Sequence, residues 1–382
     1  MKNIKRILVM CILAIFTISI TGCSKNNVAA NKKSIEIIDV LGRKVVLEKP
    51  ATRLAVQWSG SGGGLMTLAA LDKEHFQDKI VALDDSLPQY RLDMWNQFCK
   101  DVPELKNIPR IGTIDKNEFS VEKLIELKPE VFFLPVGLKE YFTSTMENQL
   151  KGAGIAVIFI DYHDQTVKGH IKSTEIIGKT IGKEKEAKDL NDFYVKQMKI
   201  VEERLKDLND NDKPSVYLEC GMYGPSKYGN TYSKNYMWGQ VVENAGGNNI
   251  MKDVVKKSQP ANPEYILDKD PEFIIMTGSY WRDQPESMFL GYECDKDKAE
   301  KSLAQFTKRP GWKNLKAVKN KNFYAIHHAI GREMYDFYAV QKLAKILHPE
   351  KFKDVDPDSA FKEYFEKFMP FKMKGVWYTK LN

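Results

Sequence analysis

The chain has 382 residues, more than one hydrophobic core usually serves, so about two domains are expected. Its formal charge of +7 would suggest a nucleic-acid partner, but residues 1–33 hold six of the 58 basic residues and none of the 51 acidic ones. The remainder is nearly neutral, with 52 basic against 51 acidic residues, and lacks the electrostatic footprint of a nucleic-acid binder.

Lys2, Lys5 and Arg6 precede an apolar run from Ile7 to Ile20 that only Thr17 and Ser19 interrupt. This is the charged start and short apolar middle of a secretory signal, and it falls short of the roughly 20 residues a membrane-spanning helix needs. The run leads into Ile20-Thr21-Gly22-Cys23, which resembles the lipobox of bacterial lipoproteins. Residues 1–22 are therefore expected to be a signal peptide, and 23–33 a lipidated Cys23 followed by a flexible polar tether. Lys25, Lys32 and Lys33 favour an anionic membrane surface.

Residues 34–182 read as an N-terminal α/β lobe. Ile35–Asp39 and Lys44–Leu47 form an expected hairpin with Gly42 at its bend, followed by strands at Arg53–Gln57, Ile80–Leu83 and Ala156–Ile160. In 183–208, Ala187, Leu190, Tyr194, Met198, Val201, Leu205 and Leu208 recur at helical spacing. One helix of that length would run about 38 Å, enough to bridge two lobes, although the same spacing fits packing within one lobe. Residues 209–330 read as a C-terminal α/β lobe with strands at Ser215–Glu219, Phe273–Met276 and Phe323–Ile326. Residues 331–382 read as mainly helical, with Tyr338, Leu343, Ile346 and Leu347 on an apolar face.

The two lobes share a motif. Phe119 to Phe133 can be laid over Ala261 to Ile275: in each, a glutamate (Glu122, Glu264) stands seven residues before a Pro-Glu pair that opens an apolar run. Each copy reads as helix, turn, buried strand, and each is followed by a glycine, Gly137 or Gly278. Helix-separated strands of this kind imply mostly parallel sheets.

Gly60-Ser61-Gly62-Gly63-Gly64 lacks the Gly-Lys-Ser/Thr ending of a phosphate loop and reads as a close-approach loop at a strand mouth. No Gly-x-Ser-x-Gly elbow and no His-Glu-x-x-His helix occurs, so no visible nucleophile–base pair supports an enzyme. Cys99, Cys220 and Cys294 form no Cys-x-x-Cys pair and read as small buried residues, with one disulfide left open. Aromatic and cationic residues, by contrast, gather in loops after strands, where open α/β sheets bind ligands. The candidate ligand-binding residues are Trp58, Tyr90, Arg91, Tyr223, Tyr232, Trp281, Arg282, His328, Arg332 and Tyr335. Such a surface suits a large, partly apolar, anionic molecule. His327 and His328 are also candidates for direct metal coordination, though tandem histidines at a strand end are often ordinary, and the tyrosines equally fit a packed loop.

The hairpin Ile38-Asp39-Val40-Leu41-Gly42-Arg43-Lys44-Val45-Val46, the two glutamate motifs and Glu243-Asn244-Ala245-Gly246-Gly247-Asn248-Asn249-Ile250 together resemble the solute-binding proteins of ABC importers for iron–siderophore, heme and cobalamin. The resemblance covers Ile35 to about Leu347. It implies an α/β fold of two lobes with mostly parallel central sheets bridged by a single long helix, ligand between the lobes, and neither catalysis nor cofactor. It also implies that Glu122 and Glu264 form salt bridges to arginines on two permease subunits driven by an ATPase. Without that role, both are solvated carboxylates favoured by the dipole of a helix start. Arg332 matches a region where relatives contact ligand. The chain departs from many relatives at Leu65-Met66 and in the tyrosine-rich stretch from Tyr223 to Trp238, so the ligand is not carried over. The expectation is a monomeric exported lipoprotein, anchored to the outer face of the cytoplasmic membrane, that captures an iron chelate such as a ferric siderophore. Heme or cobalamin is the alternative within the class, and a surface sensor or enzyme on this fold the rival outside it.

Overall fold

The computed structural model describes residues 34–382; the expected signal peptide, Cys23 and the tether lie outside the described residues. Strands β1 (Ile35–Ile38) and β2 (Lys44–Leu47) pair antiparallel across a bend where Asp39 Oδ1 accepts from the Leu41 and Arg43 N–H groups. Strands β3 (Leu54–Val56), β4 (Ile80–Leu83), β5 (Val131–Pro135) and β6 (Ala156–Ile160) then form a sheet in the order β4-β3-β5-β6, with every pairing parallel. All residues of β3 and β5 are buried, which is why these strands read as unbroken apolar runs rather than alternating ones.

The second half repeats the plan. Strands β7 (Ser215–Cys220), β8 (Asn230–Tyr232), β9 (Asn248–Asn249), β10 (Ser258–Pro260), β11 (Phe273–Gly278), β12 (Phe323–His327) and β13 (Tyr378–Lys380) follow in chain order. The sheet runs β13-β12-β11-β7-β9, parallel except at β12–β13, while β8 and β10 make a separate antiparallel ribbon. The expected α/β class with mostly parallel sheets is thus what the chain adopts.

The repeated motif folds twice in the same way. Helices Val121–Leu127 and Pro263–Lys269 are capped by the Ser120 and Asn262 side chains, and both end on a left-handed residue, Lys128 (φ 49°) or Asp270 (φ 42°). The glutamate of each Pro-Glu pair then fastens the start of the neighbouring strand. Glu130 Oε2 accepts from Thr52 N (2.6 Å) and Arg53 N (3.1 Å), and Glu272 Oε2 from Ser215 N (2.8 Å) and Oγ (3.0 Å). Glu272→Ala is expected to lower stability by about 1 kcal/mol, seen as a lower urea midpoint at unchanged slope. An unmoved midpoint would mean that the staple contributes nothing.

Between the two sheets in sequence runs the Glu184–Leu205 helix, which stops three residues short of the expected Leu208 where Lys206-Asp207 open a polar Asn/Asp turn before Pro214. Its buried face, including Ala187, Leu190, Tyr194, Met198 and Val201, packs on the Val167–Ile181 helix of the first half and the Phe337–Leu347 helix of the C-terminal region. Gln341 Nε2 bonds Gln197 O and Oε1, both at 2.9 Å. The C-terminal region is not helical throughout: after the Pro357–Phe368 helix the chain returns as β13, pairing with the free edge of β12, where Tyr378 stacks on Tyr324.

Candidate ligand-binding cleft

A cavity of about 760 Å³ opens at the carboxyl ends of β3, β5 and β6, the side on which parallel sheets bind ligands. The first half contributes Trp58, Val136, Gly137, Asp161 and His163, which follow those strands; the second contributes Asn235, Tyr236, Lys257 and Ser258, from the β8–β10 region. Trp58, Tyr141 and Tyr236 give aromatic walls, and the size is that of a small-molecule site.

Arg91, Asp93, Arg332 and Glu333 are polar groups buried outside the cavity lining, of which His163 is part. Arg91 Nε donates to Gly60 O (2.7 Å) and Nη1 to Ser279 Oγ (3.2 Å), joining the loop after β3 to the loop after β11. Asp93 Oδ2 accepts from Tyr292 N at 2.6 Å, a second link between the halves. Arg332 is only 6% exposed, yet its Nε and Nη2 have no protein acceptor. His163 Nδ1 and Glu333 Oε2 are likewise buried and unpartnered.

Burial first, and the Arg332 charge second, push His163 down to about 3. Burial takes His170 to about 4, and burial with the charges of Arg91 and Arg332 holds His327 and His328 well below the imidazole range. The carboxyls move the other way: burial raises Glu333 and Asp336 to about 8 and Asp93 to about 6. A depressed imidazole contributes stability that is lost as pH falls below its ordinary 6.5, because only the unfolded chain then takes up a proton. A raised carboxyl contributes stability that is present below its ordinary value and lost as pH rises towards 8, because the folded chain keeps a proton the unfolded chain has released. In the acid range the lowered imidazoles, His348 included, oppose the raised carboxyls, Asp84 and Asp161 included, whereas between about 6.5 and 8 Glu333 and Asp336 dominate. Chemical denaturation is expected to show stability declining from about pH 6.5 towards pH 8; stability rising through that window would contradict the assignment.

The expected site residues separate into groups. Trp58 lines the cavity. Arg332 and Tyr232 are outside the cavity lining but neighbour Tyr236, which lines it: the Arg332 charge acts on both tyrosines, and the two rings are 6.5 Å apart. Tyr90, half-buried, and Arg91 meet Ser279 at the seam between the halves. Trp281 is buried against His328 (5.8 Å), whose Nδ1 is 2.7 Å from Thr277 Oγ1. His327 Nε2 faces the Gly291 backbone beside Asp93. Tyr223 lies under Lys227, and Arg282 is exposed outside the cavity lining. Tyr335 is packed among Phe361, Tyr364 and Phe365 and forms part of the C-terminal aromatic core. Among the described residues, no three His, Cys, Asp or Glu side chains converge as a metal-binding group. Cys99, Cys220 and Cys294 are buried free thiols, so the disulfide left open is not formed. Glu122 and Glu264 are exposed at the starts of matching helices, with no ion-pair partner among the described residues.

His163, Asp161 and Glu333 were absent from the expected set. His163 stands in the loop that leaves β6, so the strand-end rule that marked Trp58 marks it too. Glu333 becomes notable only through its burial beside Arg332.

The chain belongs to the periplasmic binding protein family, whose sequence profile matches residues 73–329. It is 45% identical to the TroA-like periplasmic binding protein FepB from Veillonella parvula, with a TM-score of 0.86 over 91% of this chain and 100% of that one. It is 24% identical to the molybdate-binding protein MolA of Haemophilus influenzae over 96% of each chain. It is also 26% identical to the high-affinity heme uptake system protein IsdE of Staphylococcus aureus, over 57% of this chain and 66% of that one. It is therefore an extracytoplasmic substrate-binding protein that works with an ABC permease and its ATPase, not an enzyme. Among the described residues no helix is long and apolar enough to cross a membrane.

Proposed function

We propose that this protein captures an anionic iron chelate of the ferric siderophore class and hands it to its permease, held at the outer face of the cytoplasmic membrane through a lipid on Cys23. The observation that carries this reading is Arg332: a buried guanidinium with two N–H donors lacking protein acceptors, whose charge acts on His163 and Tyr236 of the cavity lining. A buried cation is costly unless paired, and a chelator's carboxylate or catecholate oxygens provide the pair. Trp58, Tyr141 and Tyr236 supply contact area for the organic part. Glu122 and Glu264 are the docking carboxylates, one from each copy of the repeated motif.

The second reading is a free tetrahedral oxyanion, favoured by the same Arg332 donors and by the likeness to a molybdate-binding protein along nearly the whole chain. The cavity is far roomier than such an anion fills, and its aromatic walls would then have no partner. Native mass spectrometry and absorbance titration of the exported protein with a ferric tris-catecholate, hemin and sodium molybdate decide between them. One-to-one retention of the ferric chelate is the expected result; retention of molybdate with exclusion of the chelate would establish the oxyanion reading instead.

A further inference from the structure

Trp58 occupies an unusual place. It follows β3 with a left-handed backbone (φ 50°), a conformation that a bulky side chain rarely adopts unless its surroundings hold it there. What holds it is Asp84, at the end of β4 and fully buried. Its Oδ2 accepts from Trp58 N (2.9 Å), and its Oδ1 from Ser59 N (2.9 Å), Ser59 Oγ (2.6 Å) and Ser86 Oγ (3.0 Å). Ser86 Oγ in turn accepts from Gly60 N at 3.0 Å, and Trp58 O accepts from the N–H groups of Ser61 and Gly62. One carboxylate thus gathers the turn of the glycine-rich loop around itself.

The indole is fixed just as closely. Its Nε1 donates to Asp115 Oδ1 (3.3 Å), and its ring lies 5.1 Å from the His163 imidazole. Gly137 supplies room, since a Cβ there would meet two ring carbons at 2.8 and 2.9 Å. Held this way, the ring forms part of the cavity wall.

We infer that Trp58 is a specificity-determining wall of the cleft and that Asp84 is its positioning residue, so that a retained cargo must present a flat face to the indole. This rests on the proposed capture of a ferric chelate. Asp84 touches no ligand; it acts by making the left-handed turn at Trp58 the favoured one.

The test uses the full-length protein labelled with 5-fluorotryptophan. Its six tryptophans give six fluorine resonances, and Trp58→Phe identifies the one of interest. A ferric tris-catecholate is expected to shift that resonance. Asp84→Ala is expected to displace or broaden it while the other five stay in place, and to weaken chelate binding about tenfold. Trp58→Leu, which keeps the loop bonds but removes the ring, is expected to weaken binding by a similar factor. If Asp84→Ala collapses all the resonances, Asp84→Asn, which keeps an acceptor oxygen, and Trp58→Leu decide the matter. The inference is overturned if the Trp58 resonance ignores loss of the Asp84 carboxylate, or if it moves while chelate affinity is unchanged. A wild-type protein that retains no ferric chelate would instead defeat the cargo assignment, and the resonance alone would then judge the Asp84–Trp58 link.

Discussion

Arg332→Met is expected to weaken capture of a ferric tris-catecholate by about 3 kcal/mol, roughly 100-fold in Kd, because it removes the charged partner of a buried ligand anion. The same change is expected to leave the ligand-free protein as stable as before or more so. Arg332 is desolvated and two of its donors lack acceptors, so an apolar side chain of similar volume relieves a cost rather than breaking a bond. Isothermal titration and thermal melts on one preparation read both outcomes. Loss of affinity with matching loss of stability would reduce Arg332 to a structural role, and unchanged affinity would remove it from the site. Glu333 adds a pH signature: raised to about 8, it stays protonated at neutral pH and leaves the Arg332 charge free for ligand. As Glu333 ionises above about 8 it competes for that charge, so capture should weaken on the alkaline side. Affinity that improves above pH 8 would contradict the pairing.

Glu122→Arg with Glu264→Arg is expected to abolish delivery while leaving capture intact. Opposing like charges at a docking face cost several kcal/mol, so the double reversal should cut uptake more than 100-fold, with each single reversal in between. The measurement is iron uptake into proteoliposomes carrying the permease and ATPase, set beside the Kd of each variant in solution. Both residues are exposed and have no ion-pair partner among the described residues, so charge reversal costs the fold only the small helix-start dipole contribution, about 1 kcal/mol or less at each site. Uptake that survives the double reversal would remove the glutamates from the transport step.

Where burial alone sets an element, the residues announce it. Strands β4 and β6 occupy the expected Ile80–Leu83 and Ala156–Ile160 because each is a short apolar run fed into a sheet covered on both faces. The duplicated motif was legible for a related reason: a cap, a left-handed turn and a strand-fastening glutamate all demand particular residues at fixed offsets. The β8–β10 ribbon escaped notice because Asn230–Tyr232 and Ser258–Pro260 carry no alternating pattern, and β13 because it depends on an edge of β12 that only the assembled sheet exposes. The site was harder. Trp58 and His163 follow from strand ends, but Tyr335 looks like a binding-loop tyrosine until the Pro357–Phe368 helix, many residues later, folds over it. Unpaired donors such as those of Arg332 are invisible in sequence, because being unpaired is a property of surroundings rather than of residue type.

The Pro-Glu staples have a mechanical consequence. From Glu122 the chain passes through a capped helix, a single left-handed residue and the Glu130 clasp into β5, which ends at the cavity wall beside Gly137. The second copy runs likewise from Glu264 through Glu272 into β11, which delivers Ser279 to the Arg91 seam. Neither path contains a slack loop, so if Glu122 and Glu264 are where the permease takes hold, as proposed, a load there has little chain in which to dissipate before it reaches β5 and β11.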